Sequence, residues 1–224
     1  MPPDSDRPWR SDVIKHRILL VLVTGLAGAS ACSWLEVSAG RGSVLFQDNF
    51  SSTASGWDRY QDSTYRSDYH QGAYRMQVLA VDTWAWSTAH VSLGDAQIHV
   101  DATKSEGPDN NVFGLVCRYQ DWQNFVFFLA SSDGYVGIGI RQDGENRLLS
   151  GESLQLRDVV LQGAATNHVR ADCLGDRLQL FVNGVSVAEA VSGEWTAGDV
   201  GLVVGSYEQA GVVVDFDNFS VLQP

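Results

Sequence analysis

The clearest hydrophobic pattern of this chain lies in residues 111–140, which read NVFGLVCRYQDWQNFVFFLASSDGYVGIGI. Three runs rich in Val, Ile, Phe and Tyr are separated by two short polar breaks, at residues 121–123 and 132–134. Apolar runs of this length with turn-forming breaks between them are typical of strands joined by tight turns. The pattern therefore predicts three consecutive antiparallel strands.

Strand signals of the same kind recur along most of the remaining chain. In residues 95–104, apolar side chains at every second position alternate with polar ones, which predicts a strand with one buried face. Further strands are predicted at residues 43–48, 64–70, 73–80, 167–174, 177–182, 185–190, 199–207 and 211–222.

Two dipeptides predict hairpin turns between neighbouring strands. Asn183-Gly184 is the stronger signal, because both residues accept the positive φ of a type I′ turn, and Gln71-Gly72 is the second. No stretch after residue 31 has convincing helical periodicity. About a dozen strands are more than one open sheet holds without curling or splitting. The sequence therefore predicts an all-β fold, a two-sheet antiparallel sandwich.

Two segments resemble a known superfamily. Residues 114–135, GLVCRYQDWQNFVFFLASSDGY, and residues 168–190, HVRADCLGDRLQLFVNGVSVAEA, are similar to stretches of laminin G-like domains. The chain thus resembles the concanavalin A-like lectin/glucanase superfamily, whose fold is a jelly roll. The resemblance covers roughly residues 43–222 and implies a fold that hosts lectins, adhesins and glycosidases alike.

The tetrapeptide Asp-Asn-Phe-Ser occurs twice, at residues 48–51 and 217–220. In concanavalin A-like domains the first and last strands lie side by side, so the resemblance implies that the two copies meet, with Phe50 and Phe219 in the core. Coincidence is the alternative for so short a match. A strict alternation would put Asp217 on the same face as Phe219, and we expect a β-bulge near Asp217-Asn218 to resolve that conflict.

The first 31 residues have the pattern of a signal peptide. Four basic residues precede a twelve-residue apolar run at residues 18–29, which is too short to span a bilayer as a helix. Ala29-Ser30-Ala31 followed by Cys32 resembles a bacterial lipobox, which implies lipidation of Cys32. We therefore expect an exported lipoprotein with a tether at residues 32–42 and a domain at residues 43–224, on the outer face of the cytoplasmic membrane or the cell surface. Secretion after ordinary signal cleavage and an uncleaved anchor are the alternatives.

The other two cysteines predict a disulfide. Cys117 lies within a predicted strand and Cys173 near the end of another. An exported domain meets an oxidising environment, so a bond between Cys117 and Cys173 is favoured over two free thiols. The alternative is that both side chains act as small buried hydrophobic groups.

The charge of the chain excludes one class of partner. The formal net charge is −12, and residues 1–31 carry four basic and three acidic side chains, a net +1, so the remainder carries −13. Lys104 is the only lysine after Cys32. A surface this acidic repels phosphate backbones and anionic headgroups, so we expect no nucleic-acid partner and contact with the membrane through the lipid anchor only.

Metal chemistry has weak signals. His70, His90, His99 and His168 lie in different segments without paired spacing, which argues against a zinc site. Calcium is possible at Asp109, or at Asp48 together with Asp217, because calcium binds Asp and Asn oxygens at loop ends. Turn formation by the same side chains is the interpretation we favour. No cofactor is otherwise indicated.

The enzymatic hypothesis depends on carboxylates. Glucanases of this fold carry a Glu-x-Asp-x-Glu or Glu-x-Asp-x-x-Glu run on one strand, where alternate residues flank one glycosidic bond. None of the seven glutamates begins such a run, and Asp215-Phe216-Asp217 comes closest. The architecture also resembles the 3-keto-disaccharide hydrolase family, without a motif that places its residues here. The sequence favours a non-catalytic protein, with a glycoside hydrolase-like enzyme as the alternative.

A binding module is the function we expect, for a glycan or an extracellular protein. Sugars present apolar faces that stack on flat rings and hydroxyls that need donors and acceptors. Trp86 lies two residues from Trp84 and therefore shares a face with it, while Arg118, Trp122 and Tyr135 lie on or beside the central strands. We predict that Trp86, Arg118, Trp122 and Tyr135 line the binding face. Core packing is the competing interpretation of each, and a structural envelope protein is the third hypothesis.

Overall fold

The computed structural model describes residues 41–224. Every regular element in that range is a β-strand. No helix long and apolar enough to cross a membrane lies within the described part of the chain. The expected signal peptide, Cys32 and nearly all of the expected tether lie outside the described residues.

One sheet has nine strands and contains both ends of the described domain. Its strands run in the order β14-β13-β12-β6-β16-β4-β3-β2, with β1 also paired to β16. They are β1 (Val44–Asp48), β2 (Tyr60–Gln61), β3 (Tyr65–His70), β4 (Ala73–Val78), β6 (Ala96–Glu106), β12 (Thr166–Leu174), β13 (Arg177–Val182), β14 (Val185–Val191) and β16 (Val212–Leu222).

The second sheet has seven strands in the order β10-β9-β8-β7-β15-β5, with β11 also paired to β9. They are β5 (Trp84–Leu93), β7 (Asn111–Asp121), β8 (Asn124–Ala130), β9 (Tyr135–Gln142), β10 (Glu145–Leu148), β11 (Gln155–Leu156) and β15 (Gly198–Ser206). All strand pairs in both sheets are antiparallel. The two sheets enclose one large apolar core. The predicted all-β jelly-roll sandwich is confirmed.

Both predicted hairpin turns have the backbone that their residues favour. Gln71 and Gly72 have φ of 51° and 82°, and Asn183 and Gly184 have φ of 50° and 82°. Two successive positive φ values match the right-handed twist of the flanking strands. The turns join β3 to β4 and β13 to β14 in the registers that put their apolar side chains on the core face.

The two copies of Asp-Asn-Phe-Ser meet where β1 lies beside β16. Asp48 is directly opposite Phe219, and the rings of Phe50 and Phe219 are both 1% exposed. The register of β16 against β6 shifts between Asp217 and Ser220, and Asn218 has a φ of 53°. This is the expected bulge, and it lets Phe216 and Phe219 both face the core although they are three residues apart.

The disulfide joins the two sheets. Cys117 on β7 and Cys173 on β12 are bonded, with their Cα atoms 7.0 Å apart, and both side chains are buried. The predicted pairing is therefore present in the structure. The crosslink closes a loop of 56 residues in sequence, which restricts the unfolded chain more than the folded one.

Three short strands and one long one were not predicted. β5 has the polar and small residues Ser87 and Thr88 in its middle, which interrupt the apolar pattern although Trp84 and Trp86 begin it. β2, β10 and β11 have four residues or fewer, too few for alternation to show. The turn between β9 and β10 did have a signal, because Asp143 and Gly144 form an Asp-Gly dipeptide with φ of 52° and 85°.

Candidate functional site

The outer face of the seven-stranded sheet is apolar, which is unusual for a sheet face that does not pack against the core between the two sheets. An antiparallel sheet with one solvated face normally alternates apolar and polar residues. Here β7 and β8 are buried along nearly their whole length, on both faces. The apolar side chains of this outer cluster are Val112, Val116, Phe125, Phe127, Leu129 and Val203.

Partly exposed side chains cover this outer cluster. They are Trp84, Trp86, Tyr119, Leu148, Leu154 and Tyr207, and four of the six are aromatic. Because they are only partly buried, their rings and edges form the actual surface of the molecule. We call this surface the aromatic face.

Two glycines let the chain pack closely on the aromatic face. A Cβ at Gly139 would lie 2.3 Å from the Phe127 ring, and a Cβ at Gly137 would lie 2.6 Å from the Leu154 side chain. Neither position has room for a side chain. Because β9 carries no side chain at these two positions, the Phe127 ring can pack against Gly139 and the Leu154 side chain can pack against Gly137.

Arg141 is the charged donor that lies over a ring of the aromatic face, while Arg147 lines the smaller recess beside it. The Arg141 guanidinium carbon lies 5.4 Å from the Trp86 ring centroid, and its Nε and Nη1 donate to the Trp122 carbonyl (3.1 Å) and to Asn146 Oδ1 (3.0 Å). The third nitrogen, Nη2, donates to no described residue, and no carboxylate pairs with Arg141 in residues 41–224. Burial lowers the pKa of Arg141, but an arginine remains charged at pH 7.

The Trp86 ring is fixed from beneath. Its centroid lies 5.2 Å from that of Phe125, and Tyr119 also stacks on Phe125, at 5.6 Å. Arg141 lies directly opposite Phe125 in the pairing of β8 with β9. A buried ring thus supports one partly exposed aromatic side chain and the arginine above it, so that both are held in place without a ligand.

Two recesses continue the aromatic face away from Arg141. The smaller, of about 120 Å³, lies between Trp84, Phe127 and the β10 side chains around Leu148. The larger, of about 600 Å³, is lined by Tyr135 and by a set of polar side chains. The two recesses share Leu154 and Tyr207 as lining residues, so they are neighbours, and we call the pair the groove.

The larger recess contains two carboxylates beside a tyrosine. Asp133 accepts a hydrogen bond from the Ser131 hydroxyl, and Glu208 accepts one from Asn110 Nδ2 at 2.7 Å. Burial, followed by the charges of Asp133 and Glu208, raises the pKa of Tyr207. The Tyr207 hydroxyl therefore stays protonated and is a hydrogen-bond donor at neutral pH.

The structure brings three of the four predicted binding residues to this side of the molecule. Trp86 and Trp122 meet at Arg141, and Tyr135 lines the larger recess. Trp122 is 58% exposed and Tyr135 is 40% exposed, which is high for aromatic side chains of this size. Trp84 and Trp86 share one face, as their spacing predicts.

Arg118 is not at the surface, and its placement corrects the predicted face. It is 1% exposed, and its guanidinium donates to the Gly175 carbonyl and, at 3.2 Å, to the Ser192 carbonyl. The pairing of β7 with β8 shifts register after Cys117, and Arg118 has a φ of 53°. The bulge breaks the alternation on which the prediction rested, so Arg118 turns toward the turns that end β12 and β14.

Arg141 is the residue that the sequence analysis missed. A signal for it existed, since strict alternation from Tyr135 through Gly137 and Gly139 puts Arg141 on the same face. The two glycines hid the pattern because they carry no side chain.

The calcium candidates have other partners. Asp109 accepts the Lys104 ammonium, which already neutralises its charge. Asp48 Oδ1 accepts the Phe50 backbone N–H at 2.8 Å, while Asp48 Oδ2 is buried and bonds to no described residue. Asp217 Oδ1 accepts the N–H of the next residue at 2.7 Å. Within residues 41–224 no group of three or more His, Cys, Asp or Glu side chains is arranged to hold a metal ion. These contacts are those expected from turn-forming Asp side chains.

No family model matches this chain. No curated protein matches it in sequence. Solved structures match it in fold. Carbohydrate-binding module CBM66 from Bacillus subtilis has a TM-score of 0.60 and 16% identity over 75% of this chain and 96% of its own. A protein of unknown function with a galectin-like fold, also from Bacillus subtilis, has a TM-score of 0.60 and 11% identity over 83% and 98%.

Enzymes contain the same architecture as part of longer chains. The GH43 protein BlXynB from Bacillus licheniformis has a TM-score of 0.58 and 13% identity, with 80% of this chain aligned to 39% of the enzyme. At identities this low the likeness establishes the sandwich fold alone. The comparison therefore supports the predicted β-sandwich architecture and no particular activity.

Proposed function

We propose that this protein is a non-catalytic glycan-binding module that binds its ligand on the aromatic face. The observation that carries the proposal is Arg141, which lies over Trp86 without a carboxylate partner on a strongly acidic chain. A pyranose ring stacks on a flat aromatic side chain through its C–H groups, and a neighbouring guanidinium donates to its hydroxyl or carboxylate oxygens.

A second arginine–aromatic pair, Arg170 with Phe181 on the opposite sheet, differs from the pair of Arg141 with Trp86 in its hydrogen bonds. The Arg170 guanidinium lies 4.3 Å from the Phe181 ring, but it also donates to both oxygens of Asp172, at 2.7 and 2.5 Å. Its hydrogen-bonding capacity is directed to that carboxylate. Arg141 has no such partner, and its Nη2 is left for a ligand.

The groove supports an extended ligand better than a single sugar. The two recesses together have a volume of about 700 Å³ and run from Trp84 to Tyr135. Trp86 lines neither recess, so a saccharide stacked on its ring would continue past Trp84 into the smaller recess and would need several units to reach the larger one. Trp122 at the edge of this surface supplies a further stacking position.

The test is a glycan array probed with the full-length protein, with calcium and with chelator. Trp86→Ala and Arg141→Met should each weaken binding to an array hit by at least tenfold, because they remove the stacking ring and the charged donor. Phe181→Ala on the other sheet is the matched control and should leave the affinity unchanged. Binding that survives both Trp86→Ala and Arg141→Met in folded protein would show that the ligand binds elsewhere.

A glycoside hydrolase-like activity is the second candidate, because Asp133 and Glu208 line the same recess as Tyr135 and Tyr207. Two carboxylates that flank one bond are what glycoside hydrolysis needs. Array hits should be incubated with the protein and assayed for released reducing ends. Release that is lost in Glu208→Gln supports the enzyme, and intact glycan supports the binding module. No binding on the glycan array and no release of reducing ends would support a structural envelope protein.

We also propose that the module is exported and anchored through Cys32. The expectation comes from the N-terminal sequence, and metabolic labelling with a fatty acid tests it. Wild-type protein should carry the label and Cys32→Ser should not. An unlabelled wild type would end the lipoprotein proposal and favour free secretion.

A further inference from the structure

Two histidines that are far apart in sequence meet on the outer face of the nine-stranded sheet. His99 lies on β6 and His168 on β12, and the distance between His99 Nδ1 and His168 Nε2 is 3.2 Å. The strand register pairs His168 with Asp101 and Arg170 with His99, so the two imidazoles are diagonal neighbours across the strand pair. Diagonal side chains of this length reach one another on one face of a sheet.

Asp101 fixes the orientation of His168. Its Oδ1 lies 2.8 Å from His168 Nδ1, and its Oδ2 accepts a hydrogen bond from Asn218 Nδ2 at 2.9 Å. The carboxylate therefore holds the proton of His168 on Nδ1 and leaves a lone pair on Nε2, which accepts the hydrogen bond from His99 Nδ1. A carboxylate that binds the far nitrogen of an imidazole in this way is the usual outer partner of a metal-binding histidine.

The spacing of the two facing nitrogens suits a shared metal ion. An imidazole nitrogen binds zinc at about 2.0–2.1 Å. When the angle nitrogen–metal–nitrogen is between about 90° and about 109°, two such nitrogens lie roughly 2.9–3.4 Å apart. The observed 3.2 Å falls within that range. The other nitrogen of His99, Nε2, is buried and bonds to no described residue, so the facing pair is the main polar contact of this ring.

Metal ligation requires an unprotonated nitrogen on each imidazole, so the ion takes the place of the proton that the two facing nitrogens share.

We propose that His99 and His168 form a two-imidazole chelate for a divalent transition-metal ion, with Asp101 as the positioning residue. Water completes the coordination, because two nitrogens are fewer than the four ligands of a closed structural zinc site. Imidazole ligands suit Cu²⁺, Ni²⁺ and Zn²⁺, and Cu²⁺ binds most tightly in this series. His168 remains 45% exposed at its side chain, so an ion reaches the pair from solvent.

The pair escaped the sequence analysis for a physical reason. His99 and His168 are separated by 69 positions, and a motif search recognises only short ligand spacings. The pairing of β12 with β6 brings them together, and that register follows from the whole sheet. The sequence-based prediction of no zinc site rested on ligand spacing alone, and the titration below tests it for this pair.

The test is titration of the full-length protein, free of any polyhistidine tag, with Cu²⁺ alone and with Zn²⁺ alone by calorimetry. Wild type should bind one equivalent, and Cu²⁺ should give an electron paramagnetic resonance spectrum with nitrogen hyperfine structure. His99→Gln and His168→Gln should each weaken binding by at least tenfold. Asp101→Asn should weaken it by roughly 10–100-fold, since it removes the outer carboxylate.

Two histidines outside the pair serve as controls. His90, which contacts Asp58 on another part of the surface, and His70, at the end of β3, should be replaceable by Gln without effect. Circular dichroism verifies that each variant is folded. The proposal fails if wild type binds no ion at micromolar concentrations, or if folded His99→Gln and His168→Gln bind as wild type does. It is independent of glycan binding, which takes place on the other sheet.

Discussion

Arg141 lies over the ring of Trp86, with its guanidinium carbon 5.4 Å from the ring centroid and no carboxylate partner in residues 41–224. A cation–π contact at a partly exposed site contributes about 0.5–1 kcal/mol to stability, and the two hydrogen bonds of Arg141 are solvent-exposed, so water can replace them in the unfolded chain. A charged donor that stabilises the fold so little is a better candidate for ligand binding than one that is buried, as Arg118 is.

Arg118 and Arg141 should therefore differ in their effect on stability. Arg118→Met should lower the free energy of unfolding by about 1.5–3 kcal/mol, because hydrogen bonds from a charged donor to the Gly175 and Ser192 carbonyls are lost. Arg141→Met, the matched control, should lower it by no more than about 1 kcal/mol. Urea unfolding measures both values. An equal loss in the two variants would contradict the separation of structural and binding arginines.

Removal of the disulfide should destabilise the domain substantially. The chain-entropy relation gives about 4 kcal/mol for a crosslink between residues 56 positions apart. The double variant Cys117→Ser/Cys173→Ser should melt roughly 10 °C lower than the oxidised wild type. Scanning calorimetry with and without reductant measures the difference. Reductant should lower the melting temperature of wild type only, and an unchanged wild-type value under full reduction would disprove the stabilising role.

Tyr74 should make the protein sensitive to alkaline pH. Burial raises the pKa of its hydroxyl from 10 to about 12, and this hydroxyl bonds to the Asp58 carbonyl and to Ser87 Oγ. The folded protein holds a proton that the unfolded chain releases, so this contribution is complete below pH 10 and is lost as pH rises toward 12. A shift of this size corresponds to about 2–3 kcal/mol.

Tyr74→Phe separates the hydrogen bonds from the titration. The variant should lose about 1 kcal/mol at pH 7, because Ser87 and Asp58 lose a partner, and its stability should fall less steeply between pH 10 and 12. Tyr135→Phe is the control and should follow the wild-type curve, because Tyr135 is 40% exposed and its hydroxyl bonds to no described residue. Denaturant titrations across this pH window give the slopes, and parallel curves for wild type and Tyr74→Phe would refute the assignment.

Gly139 should tolerate no side chain. A Cβ there would lie 2.3 Å from the Phe127 ring and 2.7 Å from the Arg147 carbonyl, so Gly139→Ala should cost about 1–3 kcal/mol and shift the groove. Gly193→Ala is the matched control, since no atom lies within 4 Å and its change should stay within about 0.5 kcal/mol. Thermal melts measure both. Equal stability of the two variants would show that β9 can move away from β8.

The sequence could predict most of the sheet architecture. Alternation over Ala96, Ile98, Val100 and Ala102, the dipeptide Asn183-Gly184 and the repeated Asp-Asn-Phe-Ser all report local backbone geometry and side-chain burial. Such signals depend on residues only a few positions apart, and they remain valid wherever regular pairing continues. The bulge at Asp217-Asn218 was predictable for the same reason, since a charged residue and a core residue competed for one face.

The binding face could be predicted only in part, because single backbone irregularities and long-range register determine it. One bulge after Cys117 moves Arg118 from the outer face to the interior. No residue type at these positions predicts that bulge. The contact of Arg141 with Trp86 joins β9 to β5, and the contact of His99 with His168 joins β6 to β12. The amino-acid sequence by itself determined most of the strands and the two hairpin turns, and it favoured the cysteine pair. Only the tertiary structure decided which side chains share a surface, because the pairing of distant strands is a property of the whole sandwich and not of any local pattern.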